Sequence, residues 1–426
     1  TNVLSTEEYG IYDLITTTIN LLLPLIIQNI QEAMLVFAFE KNPKKVFSIG
    51  VKYNILGLLI LFNLILINLK YKFAPIFNEY VILFLLLYIA IAMYTSLSSF
   101  TRGIKNIKAI SVGGLINTLV IVLGNVIFLL VLKVGLIGYF AAYIIGYFVA
   151  SIYLIINIKA WRYLTFEIDR DLEKNMLSYS RPMIVNSVAW WLNNTLDRYV
   201  VVVICGIAEN GIYSVSYKIP SILIILQSIF LQAWQISAYE NLGKKNNKDF
   251  FSNIYNIYNA LMVIGASVII SCTKIIARFL YAKNFYAAWK YVPFLMISTV
   301  FGAMAGYAGG IFSAVKNSKM YAFSTMVGAL VNFLLNCLLV GMIGVQGAAI
   351  STFVSYLIIW VMRMKQIKNY LPLELKLSRD VLSYAILVVQ SLIIINITSK
   401  FQYIIQIICI IILAYLYKIE LFKIFS

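Results

Sequence analysis

The stretch AISVGGLINTLVIVLGNVIFLLVL, residues 109–132, carries no charged side chain across its 24 residues. Coiled as an α-helix it is about 36 Å long, enough to cross a hydrocarbon core of about 30 Å. Working outward, similar blocks fill the chain at 9–39, 49–69, 79–100, 109–132, 136–158, 178–204, 211–239, 254–280, 291–314, 320–342, 345–362, 381–398 and 401–417. These predict thirteen spans and an all-α polytopic membrane protein. Composition agrees. Hydrophobic residues make up 62% of the 426 and charged residues 12%, against about 45–50% and about 25% in a soluble domain. The mean hydropathy is +0.89.

Several chemistries are excluded or disfavoured. The chain has no histidine, which removes His-based triads, HExxH zinc sites and His-ligated haem. The four cysteines, Cys205, Cys272, Cys337 and Cys409, lie far apart and form no CxxC pair. Gly243-Lys244 lacks the upstream glycine of a phosphate loop. No catalysis, cofactor or metal is expected.

The formal net charge is +17. On a soluble protein this would point to nucleic acid; here the basic residues sit in short loops, so no nucleic-acid partner is expected. Alternate loops and their flanks, taken as cytoplasmic, hold 24 of the 34 Lys and Arg, among them Lys52, Arg170, Lys174, Arg181, Arg363 and Arg379. The other side holds 8, and Arg198 and Lys218 fall inside spans. Lys and Arg resist translocation, so this bias sets the orientation. It puts Thr1 outside, and the chain starts without Met. One preceding span is therefore expected, making fourteen.

Self-comparison shows an internal repeat. Glu8-Tyr9-Gly10-Ile11-Tyr12 matches Glu209-Asn210-Gly211-Ile212-Tyr213 at an offset of 201, which also pairs Gln31 with Gln232. Lys105-Asn106-Ile107-Lys108 matches Lys316-Asn317-Ser318-Lys319 at 211, and Gly135 and Gly138 match Gly344 and Gly347 at 209. The expected organisation is an N-terminal lobe, 1–158, lacking its first helix; a cytoplasmic linker, 159–177; a C-terminal lobe, 178–368; and two extra helices, 369–426. Parallel repeats of this kind place a substrate site between two halves.

Polar residues inside spans mark candidate binding residues, because facing lipid is costly. Ser214, Lys218, Ser221, Ile225, Ser228, Gln232 and Gln235 step by 4 and 3 along one predicted helix face. The repeat mates of the first six are Asp13, Thr17, Asn20, Pro24, Ile27 and Gln31. The two stripes read either as facing walls of one wet cavity or as hydrogen-bonded seams in a dry bundle. Span 178–204 adds Asn186, Trp190, Asn193 and Asp197 on one row and Ser187, Trp191, Asn194 and Arg198 on the next. Arg198 and Lys218 sit roughly 12 Å and 10 Å from the outer ends of their helices. They either bind phosphate together or snorkel to headgroups, with Asp197 as partner. Arg181 either meets a phosphate from the inner leaflet or anchors the span. Trp190 and Trp191 either stack on sugars or pack. Glu32 and Glu40 read as interfacial. Pro24 and Pro220 predict kinks.

The run Leu4-Ser5-Thr6-Glu7-Glu8-Tyr9-Gly10-Ile11-Tyr12-Asp13 resembles the segment after the first helix in polysaccharide-transport members of the MOP superfamily, the Wzx-type flippases. Trp190-Trp191-Leu192-Asn193-Asn194-Thr195-Leu196-Asp197-Arg198-Tyr199 with Gly211-Ile212-Tyr213 resembles their seventh and eighth helices. The resemblance implies a MATE-like fold of two six-helix lobes plus two helices. It implies translocation of an undecaprenyl-diphosphate-linked oligosaccharide between leaflets of a bacterial cytoplasmic membrane. Membrane lipids, that glycan and a downstream polymerase or ligase are the expected partners. The candidate substrate residues are Arg198, Lys218, Arg181, Asn193, Asn194, Asn20, Gln31, Gln232, Trp190 and Trp191, with Asp13 and Asp197 as charge partners. A coupling ion, H+ or Na+, stays open. The alternatives are a cation-coupled small-molecule exporter of the same superfamily, and a membrane polymerase or glycosyltransferase.

Overall fold

The computed structural model describes the chain apart from residues 1–2, 166, 168, 242–246, 316–317, 372, 398, 400 and 426. The side chains of residues 39–40, 186, 189–190, 193–194, 232, 235–236, 239–240, 247, 313–314, 318–319 and 424–425 also lie outside the described set. Among the described residues the regular structure is helical throughout. The helices are α1 (Thr6–Ile26), α2 (Ile30–Glu40), α3 (Pro43–Tyr71), α4 (Pro75–Glu79), α5 (Val81–Gly103), α6 (Ile107–Asn125) and α7 (Leu136–Ile158). They continue with α8 (Arg170–Cys205), α9 (Ile207–Ser216), α10 (Pro220–Asn241), α11 (Asn247–Leu280), α12 (Val292–Ala314), α13 (Ser318–Ile343) and α14 (Val345–Ile367). The chain closes with α15 (Leu377–Asn396), α16 (Phe401–Leu416) and α17 (Lys418–Phe425).

The repeat is visible in where helices begin. α1 and α9 start 201 residues apart, α5 and α12 start 211 apart, α6 and α13 start 211 apart, and α7 and α14 start 209 apart. Where the motifs were compared, these are the offsets of the sequence matches. The glycines before α7 and α14 share a backbone conformation: Gly135 has φ 66° and Gly344 φ 64°. With ψ −139° and −152° both lie in a backbone region essentially confined to glycine, where a Cβ would crowd the neighbouring peptide units.

Ten of these helices are long and apolar enough to cross a membrane. The pair α9–α10, bent by 52° at its break, makes an eleventh when counted as one span. The thirteen-span reading also counts α8 and α16. α8 is 36 residues long but polar along much of its length. α16, at 16 residues, is shorter than the roughly 20 that span without thinning the bilayer.

The chain divides into two compact units, 3–192 and 193–426, and the boundary falls within α8. In the first unit, α5 packs on α2 and α7, and α6 packs on α7. Helices in lipid gain little from apolar burial alone, so close backbone approach carries more of the association. A Cβ on Gly103 of α5 would lie 2.7 Å from the Leu35 carbonyl oxygen of α2. α6 turns Leu115, Leu119, Val122 and Leu123 outward, as a lipid-facing helix does. Ser5 starts α1 with a reciprocal cap: Glu8 N–H donates to Ser5 Oγ and Ser5 N–H donates to Glu8 Oε2.

In the second unit α12 is the hub, packed by α10, α11, α14 and α15. The helix pair α15–α16 is fastened to α11 by a polar ladder. Ser267 Oγ donates to Gln390 Oε1 at 2.9 Å, Ser271 Oγ to Gln406 Oε1 at 3.1 Å, and Lys274 Nζ to Gln402 Oε1 at 2.9 Å. At the end of this seam the Arg379 guanidinium donates to Asp380, Glu420 and Asn256 and lies over the Tyr417 ring.

Candidate functional site

The predicted span 9–39 is two helices. α1 runs through Pro24 and ends at Ile26, and α2 begins at Ile30. Between them Gln28 and Asn29 both take φ 54°. Pro24 lacks a donor, and the Asn29 N–H reaches back to the Pro24 carbonyl at 2.9 Å. Left-handed backbone at a non-glycine residue costs about 1–2 kcal/mol, so neighbours must hold it. α8 does so. Arg181 Nε donates to Gln28 Oε1 at 3.0 Å. Asn29 Nδ2 donates to Ser187 Oγ at 3.0 Å, and Gln31 Nε2 donates to Asn29 Oδ1 at 2.7 Å. The break thus aims three side-chain amides at α8 or at one another.

Arg181 also lines a pocket of about 590 Å³ with Lys52, Arg170, Glu173, Lys174, Leu177 and Ser178. Arg170, Lys174, Leu177 and Arg181 step by 4, 3 and 4 along one face of α8. The pocket's one carboxylate, Glu173, accepts from Lys52 Nζ at 2.7 Å and Tyr53 OH at 2.9 Å, which ties α8 to α3. Before α8, Asp169 accepts from the Leu172 backbone N–H and from Lys45. These two donors hold its carboxyl below the usual range. All of these residues belong to the 3–192 unit.

The 193–426 unit carries the second cluster. The Asp197 carboxylate is buried. It accepts from Tyr213 OH at 2.6 Å, Tyr217 OH at 3.0 Å and the Arg198 backbone N–H at 2.9 Å. The Arg198 guanidinium lies over the Tyr217 ring, 5.4 Å from its centre. Tyr217, Lys218 and Ile219 form the break between α9 and α10, and Pro220 is the first residue of α10. Pro220 therefore opens a helix rather than kinking one. This break falls at 217–219, whereas the repeat mate of the α1–α2 break would be 228–230. The two repeats break their helices at different sequence positions.

Those bends revise the stripe reading. Ser214 is buried on α9, while Lys218 and Ser228 are exposed on the far side of the break. The run 214–235 is therefore not one face of one straight helix. In the other repeat Asp13 and Thr17 are buried, and the Thr17 hydroxyl bonds the Asp13 and Leu14 carbonyls of its own helix. Asn20 is exposed and Gln31 half-buried. Trp191 is buried and its Nε1–H donates to the Thr17 carbonyl at 2.9 Å, so this indole packs against α1. Glu32 is half-buried at the start of α2. The side chains of Trp190, Asn193, Asn194, Gln232, Asn186, Gln235 and Glu40 lie outside the described residues. Among the described residues no group of three or more acidic, His or Cys side chains is placed to hold a metal.

Sequence reading placed Lys52, Arg170 and Lys174 among the loop cations; the pocket they share with Arg181 had no linear signal except the spacing on α8. Arg363, counted among the cations of the loops and their flanks, is buried within the 193–426 unit. It donates to Ser324 Oγ, Thr325 Oγ1 and the Ala305 carbonyl, all within 2.9 Å, and stacks on Tyr321. It clasps α12, α13 and α14 together.

A family model described as polysaccharide biosynthesis protein matches residues 1–235, more than half of the chain. This chain belongs to the polysaccharide biosynthesis protein family. A probable low-salt glycan biosynthesis flippase, Agl15 of Haloferax volcanii, is 18% identical over 213 residues. That match covers 48% of this family member and 44% of the flippase, so it spans less than half the length of that relative. Among solved structures, the inward-facing form of a multidrug resistance MATE family transporter of the MOP superfamily superposes with a TM-score of 0.72 at 14% identity. It covers 86% of this chain and 92% of the transporter. The lipid II flippase MurJ, in an inward closed conformation, gives 0.66 at 15% identity, covering 98% and 97%. At such identities the likeness establishes the fold alone: this polysaccharide biosynthesis family member is a multi-pass helical membrane protein with the fold of those two proteins. Its named relatives are flippases and transporters, not enzymes.

Proposed function

We infer that the chain is a flippase that carries a polyprenyl-diphosphate-linked oligosaccharide from the inner to the outer leaflet of a bacterial cytoplasmic membrane by alternating access. The observation that supports this most is the setting of Arg198, stacked on Tyr217 at the α9–α10 break beside Lys218. A diphosphate needs cations inside the membrane, and a guanidinium and an ammonium at a helix break supply them. Arg181 serves the phosphate at the cytoplasmic end of α8. Asn20, Gln31, Asn193, Asn194, Gln232 and Trp190 are assigned to the sugars by their sequence pattern, with Asp13 and Asp197 as charge partners. The lobes 1–158 and 178–368 alternate about the linker 159–177, and 369–426 follows the second lobe. Transport then needs a ligand or gradient that favours one state over the other, with H+ or Na+ as candidates. A polymerase or ligase outside would take the delivered glycan.

The competing reading is a cation-coupled exporter of small molecules, which would need an acidic site. Asp197 is the buried acid beside Arg198, and its carboxylate is already engaged by two tyrosine hydroxyls and a backbone N–H. That favours the anionic ligand.

The test is leaflet-resolved transport in proteoliposomes by the Arg198→Ala/Lys218→Ala double variant. The reading expects at least a tenfold loss with membrane insertion intact. Wild-type transport by the well-inserted double variant would overturn the site.

A further inference from the structure

The pocket between α3 and the first turns of α8 has a charge imbalance that no contact inside it removes. Lys52, Arg170, Lys174 and Arg181 surround one carboxylate, Glu173. That carboxylate is spent on Lys52 and Tyr53. Arg181 uses its Nε on Gln28, and among the described residues its two terminal amino groups carry no bond. Arg170, Lys174 and Arg181 are exposed and share one face of α8. The loop bias puts this end of α8 at the cytoplasmic surface, at headgroup level. A volume of about 590 Å³ holds a diphosphate and its first sugar with room for water.

We propose that this pocket docks a phosphate-bearing lipid headgroup, and specifically the diphosphate of the lipid-linked substrate, before it moves inward. The inference rests on the flippase reading above and adds a loading site to it. The charge count favours a diphosphate over a single phosphodiester: four cations around one engaged carboxylate suit two negative charges better than one. Two of the four are arginines, whose planar forks pair with phosphate oxygens two at a time. The link from Arg181 through Gln28 to the α1–α2 break connects a filled pocket to the helix that bears Asn20 and Asp13.

The experiment measures binding to the purified protein by native mass spectrometry, with undecaprenyl diphosphate, phosphatidylglycerol and inorganic pyrophosphate as separate probes. Arg170→Gln/Lys174→Gln removes two exposed cations of the pocket. Lys365→Gln/Lys368→Gln removes two exposed cations at the C-terminal end of α14 and matches the charge change elsewhere. The proposal expects wild-type protein to hold undecaprenyl diphosphate at least tenfold more tightly than phosphatidylglycerol. It expects the pocket variant to lose at least tenfold and the α14 variant less than twofold. It also expects wild-type affinity to fall as salt rises, because the contacts are exposed charges. Equal binding by the pocket variant, equal losses in both variants, or salt-independent affinity would overturn it. Phosphatidylglycerol binding as tightly as undecaprenyl diphosphate would make the pocket a general anionic-lipid site, and inorganic pyrophosphate alone matching the lipid would make it a free-phosphate site; either overturns the proposal. If wild-type protein flips glycan but holds no undecaprenyl diphosphate, the pocket falls and the flippase reading stands. If it does neither, both fall.

Discussion

Arg181 Nε donates to Gln28 Oε1 across 3.0 Å, so one residue belongs both to the basic pocket on α8 and to the break between α1 and α2. Gln28 takes φ 54° there. Arg181→Ala is expected to cut transport at least tenfold. The variant removes one of the two α8 bonds that hold the left-handed break, and the Asn29–Ser187 bond remains, so the thermal unfolding midpoint in detergent should fall only modestly. Arg181→Lys should recover part of the rate, since an ammonium keeps the charge but not the fork. Full transport by Arg181→Ala would detach the break from function.

The Asp197 carboxylate depends on Tyr213 and Tyr217 for two of its hydrogen bonds. Tyr213→Phe removes the 2.6 Å donor and leaves a buried acceptor short of a partner. This costs about 1–3 kcal/mol. The expected result is a lower unfolding midpoint, with Tyr217→Phe milder because its bond is longer and its ring half-buried. A Tyr213→Phe protein as stable as wild type would mean that the cluster is not held by that bond.

Close approach between α13 and α14 predicts a sharp positional contrast. A Cβ on Gly347 would lie 2.4 Å from the Leu339 backbone carbonyl, whereas one on Gly114 would come no nearer than 3.9 Å to the Tyr94 hydroxyl. Gly347→Ala must move backbone and should destabilise by about 1–3 kcal/mol. Gly114→Ala should be neutral or mildly stabilising, because alanine favours helix. Thermal melts of the two variants compare them directly.

Arg363 clasps three helices through neutral acceptors. Arg363→Lys keeps a charge but cannot reach Ser324, Thr325 and the Ala305 carbonyl together. It should lower the unfolding midpoint while leaving undecaprenyl diphosphate affinity near wild type. A ligand-affinity loss without a stability loss would make Arg363 a binding residue instead.

Much of the architecture was legible because lipid imposes long uncharged blocks, and because Gly135 and Gly344 answer a steric demand that only glycine meets. The helix starts kept the same offsets that the motifs showed. The breaks were not legible. Gln28 and Asn29 are ordinary residues in a left-handed conformation stabilised by Arg181 and Ser187, more than 150 positions away, and no local pattern encodes that support. Pro220 was visible, but whether it kinks or opens a helix depends on the turn at Tyr217 and Lys218. The pocket escaped for a similar reason. Lys52 and Arg170 both read as loop cations, and only packing of α3 on α8 through Glu173 brings them together.

The most direct test of the central claim is leaflet-resolved movement of an undecaprenyl-diphosphate-linked glycan in proteoliposomes that contain the purified protein. Protein-dependent transfer of the intact lipid-linked sugar is expected, slowed at least tenfold by Arg198→Ala/Lys218→Ala. No transfer with several glycans, together with ion-driven efflux of a cationic dye, would contradict it.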